Sequence, residues 1–166
     1  YNIESKTYYY NYYLDCLFNL NDYSTAEKFI KRLKKQNDDL KFYVELGYIY
    51  QKQNNNRKAK KEFEKAINKV LPIKYEYVAL SNAFSNRNLN DYAIETLIKA
   101  KRKLDDPSLN FDMANLYLSM GEYELMITEY LDLIDKDESF IRSVQSKFSL
   151  ILAEAGNDKL HAAMKN

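Results

Sequence analysis

Apolar residues along this chain recur at three- and four-residue spacing on both sides of a series of short polar turns, so each stretch can fold as an amphipathic helix. The pattern predicts five helix pairs: 6–20 with 23–36, 39–53 with 56–70, 74–87 with 90–104, 107–120 with 123–135, and 139–155 with 158–165. The pairs are repeats of one another. Ala26-Glu27, Ala59-Lys60, Ala93-Ile94, Met126-Ile127 and His161-Ala162 recur at intervals of 33, 34, 33 and 35 residues. Asn21, Asn54, Asn88, Gly121 and Gly156 stand five positions before these pairs, and Ile30, Phe63, Leu97 and Tyr130 follow the first four by four positions. A fixed period of this length predicts an all-α solenoid of about four and a half helix pairs, whose apolar faces are buried between neighbouring repeats. One array is expected through residues 1–166, with repeats at about 7–39, 40–73, 74–106, 107–141 and a truncated 142–166. Because the chain starts at Tyr1 and stops partway through a repeat, it is expected to be a piece of a longer protein.

Local chemistry agrees with these boundaries. Asp38 can cap a helix start, Pro107 suits a first helical turn, and Gly121 and Gly156 can take the left-handed conformation that ends a helix. Asparagine tolerates positive φ better than most residues, so Asn21, Asn54 and Asn88 are expected to act as turn punctuation.

Composition narrows the function classes. The residues are 46% hydrophobic and 30% charged, with three glycines and two prolines, as expected of a helical protein rather than a disordered or β-rich one. Lys+Arg 25 against Asp+Glu 24 leaves a formal charge of +1, which provides no global field for nucleic acid or anionic lipid. The basic run Arg57, Lys58, Lys60, Lys61 and Lys65 is interleaved with Glu62 and Glu64 and is expected to be a solvated helix face. No apolar run approaches the roughly 20 residues of a membrane-spanning helix, so insertion of this segment is not expected. The one cysteine, Cys16, lies in an apolar run and is expected to be a small buried hydrophobe.

Catalytic constellations find little support. One histidine cannot build a multi-histidine zinc site, and a solenoid would hold Cys16 and His161 far apart. The acids of Asp135-Lys136-Asp137-Glu138 lack the glycine and distal glutamate of a calcium loop. Asp105-Asp106-Pro107 suits a helix start. The expectation is a protein that is not an enzyme and carries no cofactor or metal.

The repeat pattern resembles the tetratricopeptide repeat family over nearly the whole chain. Repeat two carries Tyr43, Leu46, Gly47, Tyr50, Ala59, Phe63 and Ala66; repeat four carries Met113, Ala114, Tyr117, Gly121, Tyr123, Tyr130 and Leu133. Repeats one and three are more degenerate, and Met126 and His161 replace the small packing residue, so the fourth and fifth repeats are expected either to pack more loosely or to mark the approach to an end. The resemblance implies a right-handed α–α superhelix. Its texture is similar to long members of the family from the Bacteroidetes, which implies a bacterial protein of the cell envelope or periplasm, with the cytoplasm as the alternative.

In that family the first helix of each pair lines the concave surface. The resemblance therefore implies a peptide- or protein-binding face that includes Tyr8, Tyr12, Asp15, Glu45, Tyr48, Tyr75, Asn82, Asp112 and Asn115, a mixture of rigid rings, amides and isolated acids. The basic clamp by which some members grip a C-terminal carboxylate is lacking: the aligned positions hold Val44, Ala79, Ser108 and Asp112, and only Asn82 is in register. A noncatalytic protein-interaction scaffold is the leading expectation. Self-association or packing through exposed solenoid ends, where tyrosines crowd the first helix, is the alternative. An RNA-binding helical repeat would require a basic groove, and the interspersed acids argue against it.

Overall fold

The computed structural model describes residues 3–154, with side chains from 9 to 152, and these residues form α-helices joined by short turns. The helices are α1 (Ile3–Asn19), α2 (Tyr23–Gln36), α3 (Leu40–Lys52), α4 (Asn56–Lys69), α5 (Lys74–Ser85), α6 (Asn90–Lys103), α7 (Leu109–Met120), α8 (Tyr123–Lys136) and α9 (Ile141–Glu154). A single 3-10 turn, Glu138–Phe140, precedes α9. Helix periodicity alone places the first eight within three residues of their observed ends. The predicted helix 158–165, with Gly156 and His161, lies outside the described residues.

The turn inside each pair is built four times in the same way. Asn21, Asn54 and Asn88 have φ values of 55°, 60° and 56°, and Gly121 has 75°. In every case the left-handed residue donates its N–H to a carbonyl three residues back. The next residue donates to one five back: Asp22 to Leu17 at 2.9 Å, Asn55 to Tyr50 at 2.8 Å, Leu89 to Phe84 at 3.0 Å and Glu122 to Tyr117 at 2.9 Å. These bonds satisfy carbonyls that the helix end leaves open. Asp22 and Asn55 then cap α2 and α4 by accepting from Thr25 N and Lys58 N. The cap of α3 corrects the sequence reading: Asp39 accepts from Lys41 N, while the Asp38 carboxylate accepts from the Tyr43 hydroxyl at 2.6 Å and pairs with Lys69. Pro107 also falls earlier than expected, in the turn before α7, where Asp106 accepts from Ser108 N at 3.0 Å.

The contacts divide the chain into two compact units, residues 1–70 and 71–166. In the first, α1 packs on α2, α2 on α3 and α3 on α4. In the second, α5 packs on α6, α6 on α7 and α7 on α8, and α9 reaches α8 through rings, with Phe148 5.5 Å from Tyr130. The repeat-defining residues are the cores of these units: Ala26, Ala59, Ala93 and Met126 are buried, as are Ile30, Phe63, Leu97 and Tyr130. Met126 is sealed as completely as the alanines, in a cluster with Ala114, Tyr130 and Leu133, so its burial shows no sign of the expected loosening.

The second helices of successive pairs are also joined, in each unit, by an ion pair in the same register. Lys34 meets Glu62 at 2.8 Å across α2 and α4, and Lys101 meets Glu129 at 2.7 Å across α6 and α8, both half-shielded from water. Burial alone would raise the Glu62 carboxyl, but hydrogen bonds and charge from Lys34 and Lys65 hold it below the usual range.

The crossing of α3 and α4 is close at Gly47. A Cβ there would stand 2.1 Å from Cε1 and 2.4 Å from Cδ1 of the buried Phe63 ring, so α3 and α4 reach their observed separation only because that position has no side chain. Gly47→Ala is therefore expected to destabilise the protein by about 1–3 kcal/mol through overpacking, despite the better helix propensity of alanine. Thermal unfolding followed by circular dichroism tests this: a Tm equal to or above that of the parent would contradict the crossing.

Candidate binding surface

In the second unit, α5 and α7 are the first helices of successive pairs and touch each other. Helical spacing puts Val78, Asn82 and Ser85 on one stripe of α5, and Asp112, Asn115 and Ser119 on one stripe of α7. A cavity of about 300 Å³ opens between the stripes, lined by these residues together with Ser81, Asn86, Leu116 and, from α6, Leu97. That volume is at the lower end of the roughly 300–1,000 Å³ of small-molecule sites. It has room for a side chain or a few waters.

Several lining groups are already engaged in holding the scaffold. The Ser81 hydroxyl, buried, donates to the Ala93 carbonyl at 3.1 Å and staples α5 to α6. Ser119 donates to the Leu116 carbonyl at 2.7 Å within its own helix. Asp112 Oδ2 is shielded from solvent 3.0 Å from Lys74 Nζ, but off the line of a hydrogen bond, so this contact is ionic. The Tyr130 hydroxyl donates to Asn115 Oδ1 at 3.4 Å, which orients the amide from behind. Burial pushes the Tyr130 phenol up to about 12, and burial with the nearby Glu129 charge raises that of Tyr117.

The structure thus brings Asn82, Asp112 and Asn115 together, three of the residues that the family resemblance had selected. Tyr75 is 76% exposed on the same helix as Asn82 but does not line the cavity. In the first unit Tyr12 is 54% exposed and Asp15 is exposed, both on α1. Tyr48 is half-buried on α3, edge-on to Phe18 at 5.4 Å and with the Lys52 ammonium 5.2 Å from its centroid. Glu45 departs from the expectation: at 8% exposure it is withdrawn into the unit, because it sits on α3 where residues 42–47 are all buried. The side chain of Tyr8 lies outside the described residues. Ser81, Ser119, Leu97 and Leu116 were missed as lining residues; Ser119 stands 33 residues after Asn86, and that register would have found it.

Cys16 is exposed on α1, contrary to the expected burial, because the apolar stripe of that helix runs through Leu14 and Leu17 and leaves position 16 outside it. His161 lies outside the described residues. Among the described residues no three His, Cys, Asp or Glu side chains converge to hold a metal ion, and no helix is long and apolar enough to cross a membrane.

Residues 40–68, which comprise α3 and all but the last residue of α4, match the tetratricopeptide repeat family. No match is found among curated proteins.

The buried phenol behind Asn115 gives the second unit an alkaline limit. The folded value of Tyr130 is about 12 against an ordinary 10, so its contribution to stability is complete below pH 10 and is lost as pH rises from 10 to 12. Thermal melts across that range, paired with the 295 nm absorbance of tyrosinate, are expected to show Tm falling above pH 10, with a smaller fall in Tyr130→Phe. Identical pH profiles for the two proteins would refute the assignment.

Proposed function

The chain is a tetratricopeptide-repeat protein, and from that premise we propose that it is a noncatalytic scaffold that holds a peptide segment of a partner protein against its first helices, with the α5–α7 cavity receiving one of the peptide's side chains. Repeats of this family support protein–protein interaction in general. The observation that carries the finer reading is the convergence of Asn82, Asp112 and Asn115 on one cavity from two successive first helices.

The chemistry suits a neutral polar contact. Lys74 balances Asp112, so the cavity presents no net charge to a ligand. With Oδ1 of Asn115 accepting from Tyr130, its amide N–H groups are the ones left to donate, and the Asn82 amide is exposed on the opposite wall. Val78, Leu97 and Leu116 supply apolar surface below these amides, so a side chain with an apolar stem and a polar tip fits both. In the first unit, Tyr12 and Tyr48 offer rigid rings on α1 and α3, the kind of group that contributes contact area at low entropic cost.

Selection of binding sequences from a displayed random-peptide library, followed by titration calorimetry, tests the assignment. Asn82→Ala with Asn115→Ala is expected to weaken the selected peptides about tenfold or more, since each lost buried hydrogen bond costs roughly 0.5–1.5 kcal/mol, and to leave the circular dichroism spectrum unchanged. Equal affinity for the double variant and the parent would remove the cavity from the binding site.

A further inference from the structure

The formal charge of +1 conceals a division that follows the two compact units. Residues 1–70 carry 14 Lys+Arg against 9 Asp+Glu, a net of +5, and residues 71–166 carry 11 against 15, a net of −4. On the second helices the contrast lies between α2 and α4 of the first unit and α8 of the second, whereas α6 carries Lys99 and Arg102 in the register of Arg32 and Lys35. On α2 and α4 the solvent-facing positions include Arg32, Lys35, Arg57, Lys61 and Lys65. The Lys34–Glu62 ion pair links the two helices, and Glu64 is exposed among the cations of this predominantly basic face. Of its cations, Arg32, Lys35, Arg57 and Lys61 meet no carboxylate within ion-pair distance among the described residues.

On α8 the same register is inverted. Asp132 occupies the place that Arg32 and Lys65 hold in the first unit, and Asp135 the place of Lys35. Both acids are exposed and neither forms an ion pair among the described residues. Beside them Leu125 and Leu131 are 47% and 61% exposed, where the corresponding positions of α4 are Lys58 and Glu64. The outward side of α8 therefore carries Asp132 and Asp135 between two exposed leucines that flank it about 120° apart around the helix, and no residue of α8 lines the α5–α7 cavity.

We propose that the basic outward face of α2 and α4 docks on the acidic, leucine-bearing outward face of α8 in a second copy of this chain. The two surfaces are complementary in both respects: lysine and arginine heads reach carboxylates while their methylene stems cover apolar side chains. A total charge near zero imposes no net repulsion between copies. The interface is separate from the cavity proposed to take a peptide, so each can fail without the other.

Sedimentation equilibrium over a concentration series tests the proposal. At about 10 mM salt, where the screening length is about 30 Å, the average mass is expected to climb above 19.7 kDa and to keep rising with concentration, since a head-to-tail contact leaves a free face at each end, and at about 1 M, where it is about 3 Å, to return to the monomer. Arg32→Glu with Lys35→Glu and Lys61→Glu, and separately Asp132→Lys with Asp135→Lys, are each expected to weaken association at least about tenfold. Mixing the two variants is expected to restore a complex, because each then presents the charge that the other's altered face requires. A wild type that remains monomeric at low salt overturns the proposal, as does association that survives either charge reversal, or a mixture that fails to associate while both variants keep the parental helical spectrum. Capture of anionic vesicles or RNA by a monomeric wild type would overturn it in favour of a polyanion on the basic face.

Discussion

Everything else in this protein depends on how closely the two helices of a pair approach. At Gly47 the separation is so small that a methyl group cannot be inserted beside the Phe63 ring, and the positions in the same register are filled by Leu14, Ser81 and Ala114. The partners in the other register are Ile30, Phe63, Leu97 and Tyr130. Small residues accompany the two aromatics, glycine with phenylalanine and alanine with tyrosine, whereas a large leucine accompanies an isoleucine. Side-chain size at the crossing thus differs from repeat to repeat, from Gly47 with Phe63 to Leu14 with Ile30, and close packing is met within each pair. Once the distance within a pair is set, the left-handed turn, the cap and the next pair have one geometry available to them, and the hydrogen bonds show it repeated from Asp22 to Glu122.

Electrostatics adds a weaker layer that respects the same period. The Lys34–Glu62 and Lys101–Glu129 pairs are 67 residues apart, two repeats, and each joins second helices of successive pairs within its unit. Pairs of this kind, half-shielded and made by long side chains, contribute little to stability beside a sealed aromatic core. Their effect is on register: a slip by one helical turn would leave a carboxylate in a half-dry groove without a cation. The packing and the ion pairs therefore specify the same alignment by independent means, the agreement across levels expected of a sequence with one folded state.

Most of the fold was legible in the chain because helical period, turn residues and caps are local signals. Asn21, Asn54, Asn88 and Gly121 were identifiable as turn residues from spacing alone, and all four have positive φ. What was not legible is whatever depends on the third dimension. Asp38 and Asp39 are equivalent caps in one dimension, and only the approach of Tyr43 and Lys69 decides that Asp38 is taken for another purpose. Cys16 sits among apolar neighbours in sequence but off their stripe in space, and Glu45 is polar yet buried on the helix whose middle is sealed. Of the candidate site, Asn82, Asp112 and Asn115 could be chosen because the repeat register relates α5 to α7. The cavity itself could not, since Leu97 enters it from α6, a helix that register arguments assign to the back.

The repeats also supply an internal comparison, because the same architectural position is filled four times in one chain. Positions that face the pair partner vary little in character: Ala26, Ala59, Ala93 and Met126 are all apolar and buried. Positions on the first-helix stripe vary without restraint, as Tyr12, Glu45, Ala79 and Asp112 do in one register and Asp15, Tyr48, Asn82 and Asn115 in the next. Outward second-helix positions vary in the sign of their charge, from Arg32 and Lys65 to Asp132. Apart from the buried Glu45, packing requires neither of the last two patterns, so the chemistry found there is free to be set by what touches the protein from outside. Rings and amides gather on the first helices, where a neutral cavity is available, and the outward charge of the second helices is basic on α2, α4 and the end of α6 and acidic on α8. The two surfaces differ in the force they offer: short-range fit at the first, and at the second an attraction that reaches only as far as salt allows.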